Sequence, residues 1–274
     1  MREIAPRYRI GRRGIKSDGS GDGEFEESFK RVYGWFRERF EDEVLDLLQG
    51  YLIVFNEELP PDKGQINREE RIIEMRPSCA SGAEIALSHE LTHALRKDSP
   101  YETPEEVARE EGAAVFVTLV YAMERGGDVA EKIFARLMNY KPYSYTAWND
   151  SHSETFEKEF ENFSKNSEVS VRCREVEAHL YLGGLCIYLN LANLYGIERV
   201  LRDIPFLITP EDFEERYGAV YLSWAPSCLF DREEFFRYLE TLRESAGINK
   251  KVLYETTLGK SRFDTPHAQH GKDR

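Results

Sequence analysis

His89-Glu90-Leu91-Thr92-His93 is flanked by Ile85, Ala86, Ala94 and Leu95, so two imidazoles and a carboxylate ride on a helix whose other positions are largely apolar. Such groups are not buried without partners, and any fold of this chain must bring further polar groups to them. Imidazoles four residues apart lie one above the other on a single helical face, where both can close on one metal ion. Glu90 is offset from the pair by about a third of a turn or less. Its carboxylate can therefore reach a water held by such an ion without becoming a ligand.

The residues around this helix set its frame. From Glu24 to Gln49 the residues Phe25, Phe29, Val32, Phe36, Phe40, Val44, Leu47 and Leu48 recur at helical spacing, which predicts one long amphipathic helix. Tyr51–Phe55 and Arg71–Met75 are short apolar or alternating runs separated by Pro60-Pro61 and Gly64, and read as two strands. The second strand leads into the metal helix, expected from Ser81 to Arg96; if it forms the edge beside the cleft, it can pair with an extended peptide as one more strand. Thr103-Pro104-Glu105-Glu106 offers an N-cap, a first-turn proline and acidic residues suited to a helix start. That helix should run to Glu124 and end at Gly126-Gly127, with Ala113 to Ala122 crossing the core. Further helices are expected over 129–138, 154–163, 172–195, 196–202, 210–216 and 231–245. Tyr140 to Trp148 is an aromatic loop that either lines a cleft or covers the core.

Two histidines leave a catalytic zinc one protein donor short, because such sites hold three protein ligands and keep a fourth position open. The helix that follows supplies Glu105, Glu106, Glu110 and Glu111. Glu105 and Glu106 suit the helix dipole at an exposed first turn. Glu111 shares a face with Val107, Ala114, Val115 and Thr118, whereas Glu110 has Glu106 one turn back and falls on the more polar side. Glu111 is the favoured third ligand and Glu110 the alternative, with Gly112 expected to let the two helices approach closely.

The H-E-x-x-H layout is that of zinc-dependent peptide hydrolysis. Together with Glu111-Gly112-Ala113-Ala114, which has the E-G-x-A or E-x-x-A form, it resembles the gluzincin group of zinc metallopeptidases. The resemblance implies that His89, His93 and Glu111 bind Zn2+, and that Glu90 is the general base toward a metal-activated water cutting a peptide or protein substrate. It implies an α+β chain: a mostly helical zincin-like fold, with a small sheet before the active-site helix and a C-terminal helical subdomain. Glu110-Gly112 context also satisfies E-x-x-A through Glu110 and Ala113. Downstream, Tyr181-Leu182-Gly183-Gly184 is similar to the Y-x-x-G of related gluzincins, whose Tyr stabilises the oxyanion; Tyr181, or His179 two residues before it, would play that part. The G-x-M-E-N element of the aminopeptidase branch is absent before the metal helix, and no third His follows His93 in the metzincin manner. Two rival readings are a catalytically silent gluzincin-fold protein that binds peptides or a partner, and a zinc hydrolase acting on a non-peptide amide.

A net charge of −13 and the lack of a basic stripe argue against nucleic acid as a partner. No run of about 18 apolar residues suggests a membrane span, and Met1 to Pro6 lacks the apolar core of a secretory signal, so the expected compartment is cytoplasmic. Cys79, Cys173, Cys186 and Cys228 form no C-x-x-C pair and read as buried thiols, with Cys79, just upstream of the metal helix, the possible exception. The expected organisation is a loosely attached basic and glycine-rich segment over 1–23, a metal-bearing lobe over 24–125, a helical lobe over 126–254 and a tail over 255–274. His267 and His270 in that tail read as solvated.

Overall fold

The computed structural model describes residues 8–12, 22–96, 102–140, 160, 176–218 and 232–245, with the backbone alone at 8–12, 22, 179, 232 and 245. These residues form an α+β architecture, mostly helical with one small sheet. Strand β1 (Tyr8–Arg12) is followed by α1 (Asp22–Arg39), a short α2 (Asp42–Leu45), β2 (Leu52–Phe55), β3 (Lys63–Asn67) and β4 (Ile72–Arg76). Helices α3 (Ala80–Leu95), α4 (Pro104–Arg125) and α5 (Gly127–Asn139) come next. The C-terminal part consists of a π-helical turn (His179–Gly183), α6 (Gly184–Tyr195), α7 (Ile197–Asp203), α8 (Pro210–Tyr217) and α9 (Arg232–Ser245). Among the described residues no helix is long and apolar enough to cross a membrane.

The sheet order is β1-β2-β4-β3, with β1, β2 and β4 parallel and β3 antiparallel to β4. β4 is therefore central, so the condition for it to take a peptide at its edge is not met. The edge beside the cleft is β3, a strand that the sequence pattern did not announce. Lys-Gly-Gln-Ile-Asn carries too little apolar alternation to be recognised. Residues 8–12 likewise add a strand where a loosely attached segment was expected.

The single helix expected over 24–49 is broken. α1 ends at Arg39, Glu41 takes an extended conformation (φ −69°, ψ 155°), and a 3₁₀ turn at Asp46–Leu48 follows α2. Val44, Leu45 and Leu48 stay buried across the break, and each piece keeps spacings of three and four. Apolar periodicity alone therefore does not distinguish the bent course from a straight one.

Ile53, Ile73 and Met75 are buried on the inner face of the sheet, against which α3 lies. α3 also packs on α1, α4 and α5, so every residue from Gly82 to Leu95 is buried, the polar ones included. Cys79 caps its N-terminus, accepting from the Gly82 N–H at 3.4 Å, with Lys132 Nζ at 3.1 Å. That position leaves Cys79 exposed, whereas Cys186 is buried as expected; Cys173 and Cys228 lie outside the described residues. Thr103 and Glu106 close a reciprocal capping box on α4, with Pro104 in its first turn.

Gly112 does permit a close approach, but to a different helix from the one expected. A Cβ there would stand 2.2 Å from the Gly184 carbonyl carbon, and one at Gly184 would stand 1.9 Å from the Ala108 oxygen. The two glycines let α4 and α6 touch backbone to backbone. That contact seats the π-helical turn, and Tyr181 with it, above the polar end of α4.

Candidate metal centre

His89 and His93 project from α3 and Glu111 from α4, and one donor atom from each meets within 4.8 Å of the others, all three side chains being buried. His93 Nε2 and His89 Nε2 are 3.2 Å apart, and Glu111 Oε2 stands 3.1 Å from His89 Nε2 and 3.7 Å from His93 Nε2. At bonds of about 2.0–2.1 Å, neighbouring donors of a tetrahedral zinc lie about 3.3–3.4 Å apart. Three of the four corners of such a site are thus spaced as the ion requires. The donor set, two imidazoles and a carboxylate, is also one that zinc accepts.

The electrostatics of the cluster are compatible with a cation. Burial lowers His89 to about 4, so its imidazole is neutral and able to ligate. Burial opposes charge on His93 too, but the Glu111 and Glu110 carboxylates overcome it and hold a proton there, up to about 10. Glu111 is held well below the usual carboxylate range by His93 and His89, against the effect of its burial. The proton on His93 occupies the position that a metal ion would take over.

Glu110 does not lie on a wetter side, as its spacing from Glu106 suggested; it is fully buried. Its carboxylate accepts from His93 Nδ1 at 2.8 Å, from Arg96 Nε at 2.7 Å and from Arg68. Fixing Nδ1 in this way turns Nε2 of His93 toward His89 and Glu111, the orienting role that a carboxylate plays behind a metal-bound histidine. Burial would raise Glu110; the Arg96 guanidinium prevails and brings it down to about 2. Arg96 in turn donates to the carbonyls of Ile204 and Leu207, at 2.5 and 2.8 Å. The alternative third ligand is thus the anchor of the second histidine. Sequence spacing missed it because its cations come from the end of α3 and from the β3–β4 turn.

Glu90 is buried and its side chain points to the edge strand. A Cβ on Gly64 would stand 2.6 Å from Glu90 Cγ and 2.7 Å from Oε1, so only glycine fits beside the carboxylate. Burial, with the Glu111 charge nearby, pushes Glu90 up to about 7 in the metal-free state.

Tyr181 lies on the π-helical turn, and such turns commonly mark functional sites in helices. Its ring stacks on His89, with centroids 6.0 Å apart and planes 5° from parallel. Arg136 of α5 sits over that ring at 5.7 Å, and Tyr140 is 6.0 Å away. Tyr140 is buried and donates to Glu177, which places the start of the aromatic segment at the site; residues 141–148 lie outside the described residues. The backbone of His179 opens the same turn, and its side chain lies outside the described residues. Glu105 and Glu106 stay at the first turn of α4, away from the cluster.

His89, Glu90, His93, Glu111 and Tyr181 open onto a cavity of about 770 Å³ whose remaining wall is β3, the turn after it and β4, from Gly64 to Glu74. Gly64, Arg68, Arg96, Arg136 and Glu177 are the site residues that sequence reasoning did not single out. Of these only Arg96 left a usable signal, since it stands three positions after His93 on a helix otherwise apolar at that end.

The chain matches no protein-family model, no curated protein and no solved structure at a significant level.

Proposed function

We propose that this protein is a zinc-dependent peptidase of gluzincin type, with a zincin-like fold, His89, His93 and Glu111 as metal ligands and Glu90 as general base. The observation that carries the reading is the tetrahedral spacing of those three donors, with Glu90 beside them and facing an edge strand. The bound ion would supply Lewis acidity to the attacking water and to the scissile carbonyl. Glu90 takes the proton of the water and hands it to the departing amine. Tyr181 donates a hydrogen bond to the developing oxyanion. The outer edge of β3, which no strand covers among the described residues, pairs with an extended peptide and holds the scissile bond against Glu90. Glu110 keeps the His93 imidazole in register throughout.

Elemental analysis of purified wild type, His93→Ala and Glu111→Ala, each assayed on a mixed peptide library, tests this directly. One zinc in the wild type, lost in both variants together with turnover, is the expected result. A wild type that takes up no zinc on reconstitution would remove the reading, and zinc uptake without any peptide cleavage would favour a silent peptide-binding protein.

Gly64→Ala probes the strand against the base. The added methyl meets the flexible end of Glu90, not backbone, so the fold and the zinc should be retained while the carboxylate is displaced. Turnover should fall by about 100-fold, the cost of misplacing a reacting group by about 1 Å. Unchanged kcat in a zinc-loaded Gly64→Ala protein would show that Glu90 does not act from this position.

A further inference from the structure

Three polar residues stand one turn apart on a single face of α5. Lys132, Arg136 and Tyr140, at spacings of four, run beside the buried row Val129, Ile133 and Leu137. Over about 12 Å of helix they reach both the edge strand and the turn that carries Tyr181. Lys132 Nζ pairs at 2.5 Å with Asp62, the residue immediately before β3. Arg136 lies over the Tyr181 ring at 5.7 Å. The Tyr140 hydroxyl, at the C-cap of α5, accepts from Arg136 and donates to Glu177 at 2.8 Å. Glu177 closes the circuit, because its carboxylate also pairs at 3.1 Å with Lys63, the first residue of β3.

These ties end on the two elements that the chemistry needs in register. Asp62 and Lys63 lead into Gly64, against which Glu90 lies. Glu177 stands four residues before Tyr181, on the helical turn that runs into the π-helical one. α5 is itself packed on α3, which carries His89, Glu90 and His93, and on α4, which carries Glu111. The stripe is thus anchored to the ligand helices, with the start of β3 at one end and the Tyr181 turn at the other. The Lys63 and Glu177 side chains are 39% and 20% exposed, and a pair of that kind adds little to stability. What it fixes is a distance. A peptide laid along β3 presents its scissile carbonyl to Tyr181 only at the right separation of strand and turn, and a misplacement of about 1 Å costs on the order of 100-fold in rate.

We propose that Lys132, Arg136, Tyr140 and Glu177 form a brace that sets the gap between the edge strand and Tyr181, and that they are positioning residues for the hydrolysis. This rests on the peptidase reading of the metal centre. None of the four is among the residues that line the cavity. They act through β3, which holds the scissile bond against Glu90, and through Tyr181, which donates to the oxyanion.

Tyr140→Phe and Glu177→Gln each remove one tie with little change of side-chain volume, and are made in the full chain with and without Tyr181→Phe. In the zinc-loaded proteins each should lower kcat for a peptide by about 10–100-fold, with KM within about twofold of wild type because β3 still pairs with the substrate. The Tyr181→Phe background has no hydroxyl left to position, and there the same substitutions should cost less than about threefold more, the non-additivity of residues that act as a unit. A merely structural role would exact its full cost in both backgrounds, so additive effects overturn the proposal, as does a loss carried by KM alone. Hydrogen exchange on the metal-free proteins gives a readout independent of turnover. Tyr140→Phe and Glu177→Gln should speed exchange severalfold across 63–67 and 179–183 together, and Lys132→Met should do so at 63–67, with the middle of α3 unchanged. Exchange at the wild-type rate in these stretches shows that strand and turn are held by other contacts and overturns the brace. A zinc-loaded wild type that cuts no peptide removes the peptidase reading, and the exchange result then decides the brace on its own.

Discussion

Glu90→Gln is expected to lower kcat by about 10²–10⁴-fold, the contribution of a positioned general base, and to leave zinc content at the wild-type level. The amide keeps the size of the side chain, so the contact with Gly64 is undisturbed. Nothing is withdrawn from the His89, His93 and Glu111 donor set. A second readout comes from stability. Burial raises Glu90 from 4.5 to about 7 in the metal-free protein, so the folded state holds its proton more tightly than the unfolded chain does. A raised carboxylate costs nothing below pH 4.5; the cost builds as pH rises toward 7, where the unfolded chain has lost the proton and the folded state is only then losing it. The metal-free variant, which has no such group, should gain thermal stability over metal-free wild type across that window. Zinc retained with turnover retained would remove Glu90 from the chemistry. An unchanged stability difference between pH 4.5 and 7 would show that the carboxylate is better solvated than its burial implies.

What could be read from the residues themselves follows a physical division. The metal helix, its neighbour and the cap of that neighbour were legible because the information is local: imidazoles at i and i+4, the Thr103-Pro104-Glu105-Glu106 start, the apolar run after Gly112. Glu111 could be favoured from its helical face, and the structure does bring it to His89 and His93. Glu110 was misread, because its cations come from Arg68 and Arg96, whose places depend on how the β3–β4 turn and the end of α3 pack. β3 was invisible for a related reason. Of its inward positions one must be glycine to admit Glu90, which leaves Ile66 as the single apolar side chain to mark the strand. The partner of Gly112 was equally out of reach: that a glycine allows close contact is a local fact, but that the contact is Gly184, 72 positions on, is a property of the packed fold.

Glu110→Ala should be the most damaging substitution to the fold among the residues at the metal centre, although Glu110 is not a proposed ligand. Both Glu110 and Arg96 have fully buried side chains, 0% exposed, joined at 2.7 Å. Removing one partner of such a pair strands a charge in the interior and costs about 3–5 kcal/mol. Arg96 is 1% exposed and has no route to water where it sits, held also by its bonds to the Ile204 and Leu207 carbonyls, so the unpaired guanidinium loosens the contact between α3 and the C-terminal helices. In a chain of this size the expected fall in Tm is on the order of 10 °C, present with and without zinc. A second effect is local: His93 loses the acceptor on Nδ1, and zinc affinity should drop by about 10–100-fold. Glu110→Gln separates the two, since the amide oxygen can still accept from His93 or Arg96 while the negative charge is gone. It should recover more of the zinc affinity than of the stability. Differential scanning calorimetry and competitive zinc titration on the two variants read these effects independently. A Glu110→Ala protein melting within about 2 °C of wild type would mean that Arg96 finds another partner, and the coupling of the metal centre to the 204–207 turn through these two residues would have to be given up.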